Sequence, residues 1–329
     1  MKFRKFSDLG WNVSEIGLGC WQIGWCWGEK VKDTSARKLL KKALDVGINF
    51  FDTSDTYGDG RSERFLSELI KSTSEKIYVT TKLGRRIRGT NFPKGYKHQP
   101  MEEFIDRSLI NLGIEQIDLV QLHCPPVDIC KKKETFEKMD EFVKRGKIAY
   151  YGVSVYNLSE AMEAIKFPNV KSIQLVFNIF RQRPADIFFK EAKKRNVAII
   201  ARGPLASGLL GGEINKNTKF PENDHRNYNI NGEAFDVGDT FSGVNFETGL
   251  KAIEELKKIL PENFTLSNLA LKWILMHEEV TVVIPGAIND LQVMKNAEAS
   301  GLSSISNLKT KIRSIYEKFI KSDVHDRWQ

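Results

Sequence analysis

The sequence has few cysteines and lacks a long apolar run. Only four of its 329 residues are cysteines, and no two of them are spaced as C-x-x-C. The charged N-terminus is not followed by an apolar run, so we expect no secretory signal and predict free thiols in a reducing cytoplasm. The longest apolar runs are a few residues, far short of the ~20 that cross a bilayer, so we expect no membrane partner. The G-x-G-x-x-G fingerprint is also incomplete, because Gln22 stands where a third glycine would follow Gly17 and Gly19.

The charge balance does not indicate a nucleic-acid partner. Lysine plus arginine is 50 against 42 acidic residues, which gives a net charge of +8. The basic residues are spread along the chain, and the densest run, 131–133, precedes an apparent helix. A solvated face explains this pattern, and no stretch interleaves basic and aromatic residues on one element. Nothing in the sequence fixes the oligomeric state, and no metal site is expected.

Short β-branched runs alternate with helical patterns along the chain. Eight strands are predicted, at 16–19, 49–52, 77–82, 119–123, 148–154, 172–177, 197–200 and 280–284. Strands separated by helices pair in parallel, and eight such units close a (β/α)₈ TIM barrel of the α/β class. The rival, an open doubly wound sheet, usually carries the fingerprint that is missing here. No Pro/Ser-rich linker divides the chain, so we predict one domain over residues 1–329.

Three segments fall outside this eightfold rhythm. Residues 1–16 predict a hairpin, with its turn at 8–10, that could plug the base of the barrel. Residues 211–245, after the seventh strand, are rich in Asn, Gly and Asp and predict a long loop of the kind that is usually functional or disordered. Residues 302–320 predict a final amphipathic helix.

Polar side chains end three consecutive predicted strands. Asp52 ends the second, Lys82 the third and His123 the fourth, and Tyr57 follows Asp52 by five residues. In a barrel these strand ends meet at one mouth, where barrel active sites lie. Each residue alone has a structural explanation, such as a cap, a surface lysine or a core histidine. Together at successive strand ends they predict an active site.

The four residue types form a proton-donating group. A tyrosine is protonated at neutral pH, and a neighbouring lysine favours its phenolate and lowers its pKa. Asp52 would keep Lys82 charged, and His123 could hold a substrate oxygen against the Tyr57 hydroxyl. The set contains no nucleophile, which suits carbonyl reduction by a hydride that a cofactor delivers.

The sequence resembles the aldo-keto reductase superfamily over nearly its whole length. The matching stretches are 47–58, 80–82, 118–123, 146–154, 203–210 and 284–287. The resemblance implies a barrel that binds NADP(H) without a Rossmann domain. It also implies Tyr57 as general acid/base, Asp52 and Lys82 as the residues that tune it, and His123 as the residue that orients the carbonyl.

The resemblance also assigns cofactor positions. It implies that Ser154 and Gln174 hold the nicotinamide carboxamide. The implied contacts beside the nicotinamide are Gly19, Cys20, Trp21 and Asp52. Those in the segment around the pyrophosphate are Arg202, Gly203, Pro204, Leu205, Ser207, Gly208 and Leu210. Those at the adenosine are Gly286, Gln292 and Asn296.

Three positions depart from the family pattern. Val155 replaces an asparagine, and Arg202 replaces an aromatic residue that stacks on the nicotinamide. Arg202 could stack its plane on a ring or reach the pyrophosphate. Ile288 replaces a basic residue that grips the 2′-phosphate, and Lys295 or another cation would have to substitute for it. NADP(H) is therefore expected from the family, with NAD(H) as the alternative.

A cluster of aromatic residues follows the first strand and predicts an apolar pocket wall. The predicted substrate pocket comprises Trp21, Trp25, Trp27, Tyr57, His123 and Cys124. We predict an NAD(P)H-dependent reductase of an aldehyde or ketone in the cytoplasm. Two alternatives are a nucleotide-sugar ketoreductase of the same fold and a non-catalytic NADP(H)-binding regulatory subunit like the potassium-channel beta subunits.

Overall fold

The computed structural model describes residues 1–24, 28, 30–85 and 96–329. Ten strands lie within these residues. They are β1 (Phe3–Phe6), β2 (Trp11–Ser14), β3 (Leu18–Gly19), β4 (Phe50–Asp52), β5 (Tyr78–Leu83), β6 (Ile117–His123), β7 (Ile148–Ser154), β8 (Val170–Val176), β9 (Ala198–Arg202) and β10 (Val280–Val283).

Strands β3 to β10 form a parallel barrel in chain order. Each strand pairs with the next, and parallel bridges join Ile16 to Val283 and Gly19 to Gly286. The Gly17 amide donates to the Val283 carbonyl at 2.8 Å, so the last strand returns to the first. A Cβ at Gly17 would lie 2.9 Å from the Phe50 carbonyl oxygen, so only glycine fits this close approach. The predicted (β/α)₈ fold is confirmed.

Helices follow the strands and cover the outside of the barrel. They are α1 (Trp21–Gly24), α2 (Asp33–Asp45), α3 (Arg61–Ser72), α4 (His98–Leu112), α5 (Val127–Cys130), α6 (Lys133–Lys144), α7 (Leu158–Ala164), α8 (Arg183–Ile187), α9 (Phe189–Lys194), α10 (His225–Tyr228), α11 (Phe246–Lys257), α12 (Leu266–Leu275), α13 (Asp290–Gly301), α14 (Lys309–Ile315) and α15 (Lys321–Val324). In α2 the buried residues are Ala36, Leu39, Leu40 and Ala43, the one-face spacing of an amphipathic helix. None of the helices in the described part of the chain is long and apolar enough to cross a membrane.

The N-terminal hairpin closes the base of the barrel, as predicted. Its strands β1 and β2 pair antiparallel. The Phe6 ring stacks on Phe50 at 5.6 Å, and the Trp11 ring stacks on Tyr78 at 4.7 Å. Phe50 and Tyr78 are the first residues of β4 and β5, so the hairpin covers the end of the barrel opposite to the predicted site.

The two remaining segments differ from their simplest predictions. The loop after β9 contains α10 and short 3₁₀ turns at 206–211, 237–239 and 241–243, so it includes several short helical elements. The last helix begins later than predicted, with a 3₁₀ turn at 306–308, because the Ser304 hydroxyl accepts the Ser306 amide at 3.3 Å and starts the turn there. It also continues through a π-helical segment, 316–320, into α15.

Candidate active site

The structure brings the four predicted catalytic side chains together at the carboxyl end of the barrel. The Lys82 ammonium lies 2.6 Å from Asp52 Oδ1, 2.8 Å from the Thr53 carbonyl oxygen and 3.2 Å from the Tyr57 hydroxyl. Lys82 is 1% exposed and Asp52 is 3% exposed. The lysine therefore links the carboxylate to the phenol in a site shielded from solvent.

The environment of Tyr57 changes one prediction from the sequence. Burial raises the pKa of Tyr57 to about 12, and the Lys82 charge lowers it by less than burial raises it. The predicted effect of the lysine is present, but the net shift has the opposite sign because the phenolate loses its hydration. The Tyr57 hydroxyl is therefore fully protonated at neutral pH and is a proton donor.

His123 faces Tyr57 as a neutral ring. The two ring centroids lie 6.3 Å apart, and His123 Nδ1 lies 3.3 Å from the Ser54 hydroxyl. Burial, followed by the charges of Arg85, Lys82 and Arg202, holds the pKa of His123 well below its ordinary value. The ring is therefore a hydrogen-bonding group at neutral pH rather than a cation. Sequence reasoning missed Ser54, although it lies inside the 47–58 motif.

The second oxygen of Asp52 turns toward the predicted carboxamide residues. Asp52 Oδ2 accepts from Gln174 Nε2 at 2.7 Å and from Gln121 Nε2 at 3.4 Å. The Ser154 hydroxyl donates to Gln174 Oε1 at 3.2 Å, since Ser154 and Gln174 are register partners on β7 and β8. Gln121 was not predicted. Its position two residues before His123 on β6 puts it on the same face of the strand and could have revealed it.

Arg202 belongs to a cluster that the sequence did not predict. Its guanidinium forms an ion pair with Asp239 and donates to the Val155 carbonyl at 3.2 Å. The Tyr156 hydroxyl donates to Asp239 Oδ2 at 2.7 Å and accepts from Arg85 Nη2 at 2.7 Å. Burial raises the pKa of Asp239, but the neighbouring Arg202 charge and other contacts more than offset this. The net shift of the pKa is downward, so the carboxylate stays ionised beside the guanidinium. Arg202 thus ties the loop after β9 to the ends of β7 and β9.

The predicted pyrophosphate segment has a tightly turned backbone. Ala206, Ser207 and Gly208 have φ angles of 47°, 55° and 93°. The Ser207 hydroxyl donates to the Asp239 carbonyl at 3.0 Å and accepts from the Phe241 amide at 3.1 Å. The side chain of Ser207 therefore stabilises the loop after β9, a role that the sequence did not predict. The remaining predicted residues of this segment differ in exposure: Gly203 is exposed, Leu205 is half-buried, and Pro204 and Leu210 are buried.

The predicted adenosine residues brace one turn. Gln292 Oε1 accepts the Ile288 amide at 3.0 Å, and Asn296 Nδ2 donates to the Gly286 carbonyl at 3.3 Å. A Cβ at Gly286 would lie 2.2 Å from Gln22 Oε1, so the amide of Gln22 packs directly on this glycine. The Ile288 side chain is 51% exposed beside the turn.

The residues after the first strand are placed unequally. Cys20 is fully buried, with its Sγ 3.6 Å from the Leu18 carbonyl oxygen, so its thiol lies in the barrel wall. The Trp21 ring packs edge-on against His225 at 5.1 Å, beneath the loop after β9. Cys124 Sγ lies 3.8 Å from the Ser154 hydroxyl. Trp25, Cys26 and Trp27 lie outside the described residues.

Several features of the mouth fit a nicotinamide dinucleotide. Gln174 and Ser154 place an amide and a hydroxyl beside Asp52, as a carboxamide would require. The run of positive φ at 206–208 forms a tight turn after β9, in which the Ala206 and Gly208 amides donate to the Gly203 and Leu205 carbonyls at 3.1 and 2.9 Å. The buried Nε of Arg202 also has no hydrogen-bond acceptor among the described residues, which leaves one charged donor for a ligand.

Comparison with known proteins agrees with this geometry. The Aldo/keto reductase family model matches residues 15–313. The chain is 28% identical over 329 residues to aldo-keto reductase YhdN of Bacillus subtilis, covering 98% of this chain and 96% of that protein. It is 27% identical over 312 residues to a probable voltage-gated potassium channel subunit beta of Oryza sativa, covering 91% of each. The holo form of aldo-keto reductase AKR11C1 from Bacillus halodurans superposes with a TM-score of 0.76 at 27% identity, covering 99% of each chain.

The barrel and the residues at its mouth define an oxidoreductase of the NAD(P)H-dependent class. The chain belongs to the aldo/keto reductase family. The family acts on small carbonyl substrates with a nicotinamide cofactor.

Proposed function

We propose that this protein reduces an aldehyde or ketone to an alcohol, with Tyr57 donating the proton. The observation that carries the proposal is the contact between the Lys82 ammonium and the Tyr57 hydroxyl at 3.2 Å, with Asp52 2.6 Å behind the lysine. A protonated phenol beside a buried ammonium can give its proton to an oxygen that is becoming negative.

Each side chain has a separate part in this reaction. A bound nicotinamide supplies the hydride to the carbonyl carbon. Tyr57 holds its proton until the carbonyl oxygen gains charge, because burial raises its pKa to about 12. Lys82 then stabilises the phenolate, and Asp52 keeps Lys82 charged. Neutral His123 offers the carbonyl oxygen a hydrogen bond that orients it toward the phenol.

The proposed cofactor is NADP(H), with NAD(H) as the alternative. Ser154 and Gln174 would hold the carboxamide, the 203–210 segment the pyrophosphate and the turn at 286–288 the adenosine. The family supports the nicotinamide cofactor, but Ile288 offers no charge to a 2′-phosphate. Lys295 lies on α13, close in sequence to the braced turn, and is our candidate for the missing cation.

Replacing Tyr57 by phenylalanine tests the proposal. Tyr57→Phe should lower turnover of a carbonyl panel by about 10²–10⁴-fold, because one proton donor is lost. Titration with NADPH and NADH, followed by tryptophan fluorescence, should give nearly unchanged affinities, because the hydroxyl does not hold the cofactor. Tyr150→Phe is the matched control, since Tyr150 packs against Trp11 at the base of the barrel. Unchanged turnover in Tyr57→Phe would refute the proposed role.

A second candidate is a cofactor-binding regulatory subunit without significant turnover. The similarity to the Oryza sativa channel subunit favours it. It predicts tight cofactor binding, negligible turnover of every carbonyl in the panel and capture of a membrane protein from native membranes. Measurable turnover that disappears in Tyr57→Phe would exclude it.

A further inference from the structure

A cavity of about 430 Å³ lies beside the N-terminal hairpin, at the base of the barrel. Its walls come from the N-terminal hairpin, the end of α12 and the segment after α13. The lining includes Lys2, Arg4, Glu15, Lys272, Met276 and Ser303. Three of these side chains are basic and one is acidic, so the lining has a net charge of +2.

The charged pair in this lining is already committed to the fold. Arg4 Nε donates to Glu15 Oε2 at 2.9 Å, and Arg4 Nη1 donates to the His277 carbonyl at 3.1 Å. Arg4 also donates to the Leu275 carbonyl at the end of α12. The other Glu15 oxygen accepts the Ser300 hydroxyl at 2.9 Å. Both Glu15 oxygens therefore already accept a hydrogen bond, and the one acidic side chain of the lining is paired with Arg4.

Lys272 is a buried cation of this lining. The residue is 6% exposed, and its ammonium has no direct hydrogen-bond or ion-pair partner among the described residues. Burial and the charges of Lys2 and Arg4 lower the pKa of Lys272, and the charge of Glu15 only partly opposes them. A cation in the last turn of a helix is ordinarily stabilised by the helix carbonyls. Here Arg4 bonds the Leu275 carbonyl at that helix end, and Lys272 lines the cavity beside it.

We propose that this cavity binds a phosphate-class dianion, free or as a small monoester. The net charge of +2 on the lining matches a dianion, and ammonium groups form strong charge-assisted hydrogen bonds with phosphate oxygens. The Ser303 hydroxyl lies on the same wall, and Leu275, Met276 and Leu302 form an apolar side that could cover the carbon atoms of an ester. The site is separate from the proposed active site and does not depend on its chemistry.

Methionine NMR at constant ionic strength tests the proposal. Protein labelled with ¹³C at the methionine methyls is titrated with inorganic phosphate and, in a second arm, with methyl phosphate, while chloride balances the ionic strength. Met276 lines the cavity, and Met294, on α13, serves as the internal reference. We expect a saturable shift of Met276 and no matching shift of Met294. Tighter binding of methyl phosphate would identify an ester, and equal affinities would identify free phosphate.

Charge variants decide whether the cavity is responsible. Lys272→Gln should weaken phosphate binding at least about tenfold, because it removes a charge-assisted contact. Lys2→Gln should weaken binding less and should not affect folding, because Lys2 is exposed. Lys251→Gln removes the same charge from the exposed face of α11 and should leave binding unchanged. A Met276 shift that does not saturate, or that persists equally in Lys272→Gln and Lys2→Gln, would overturn the proposal.

Discussion

The buried pair of Lys82 and Asp52 allows a quantitative test of the site. Asp52→Asn keeps the size of the side chain but removes the charge 2.6 Å from the ammonium. If the new asparagine side chain turns its oxygen toward Lys82, its NH₂ group faces Gln174 Nε2. Two donors then face each other where Asp52 accepted a hydrogen bond. Removing one member of a buried pair typically costs about 3–5 kcal/mol of stability. We expect a loss of that size, measured by urea unfolding with circular dichroism and tryptophan fluorescence.

The double-mutant cycle with Lys82→Met separates the pair from other effects. Lys82→Met leaves the Asp52 carboxylate with two amide donors, from Gln174 and Gln121, so it should cost less than Asp52→Asn. The double variant removes both charges and leaves neither uncompensated. The coupling free energy should therefore be about 2–3 kcal/mol. Additive losses would refute the interpretation that each charge is buried mainly against the other.

The pH dependence of the stability of Asp52→Asn provides an independent test, because the direction of the change can be predicted. In the wild type the pKa of Lys82 is raised: burial lowers it, and Asp52 and Tyr57 together more than offset this. Without Asp52 the pKa of Lys82 in the folded state should fall below its unfolded value of about 10.4. The unfolded chain of the variant then binds more protons than its folded state, so its stability increases with pH. The stability that Asp52→Asn loses relative to the wild type should therefore shrink between pH 7 and 9. A deficit that is constant across this range would contradict the reasoning.

Two further perturbations follow from the same structure. Gly58→Ala should cost more than about 2 kcal/mol, because a Cβ would lie 1.9 Å from the Gly24 carbonyl oxygen at a φ of 61°. Gly10→Ala is the control, because Gly10 also has a positive φ, 73°, but a Cβ there would have no atom within 4 Å. It should cost only about 1 kcal/mol of stability. Equal losses for the two variants in urea unfolding would rule out the steric explanation. Burial lowers the pKa of His225 to about 4, so the unfolded chain takes up a proton that the folded protein refuses. This group should therefore lower the free energy of unfolding by about 1.4 kcal/mol per pH unit from pH 6.5 toward 4. His225→Gln should reduce the slope of unfolding free energy against pH. Equal slopes in the wild type and the variant would exclude a contribution from His225.

The sequence predicted the central residues of the site because parallel strands end at one edge. Asp52 and His123 end their strands and Lys82 is the penultimate residue of β5, so the barrel topology brings them together whatever the details of packing. The N-terminal hairpin was predictable for a similar reason, since a tight turn between two short strands is a local signal. The same logic could have found Gln121, which shares a strand face with His123.

Other features depend on information that local patterns do not contain. Asp239 pairs with Arg202 from a loop without hydrophobic periodicity, so no spacing rule connects the two residues. The sign of the Tyr57 pKa shift depends on how deeply the phenol is buried. Residue types predicted the lowering by Lys82, whereas the opposing cost of desolvation became visible only in the packed site.

The closure of the barrel has a consequence for the order in which the protein is made. The first barrel strand pairs with β10, which carries residues 280–283, near the far end of the chain. During synthesis the earlier strands therefore form at most an open sheet, with unpaired backbone groups along two edges. Such edges pair readily with other chains while a large protein is folding. Until residue 283 leaves the ribosome, the growing chain cannot complete the barrel, and those edges stay without their barrel partner.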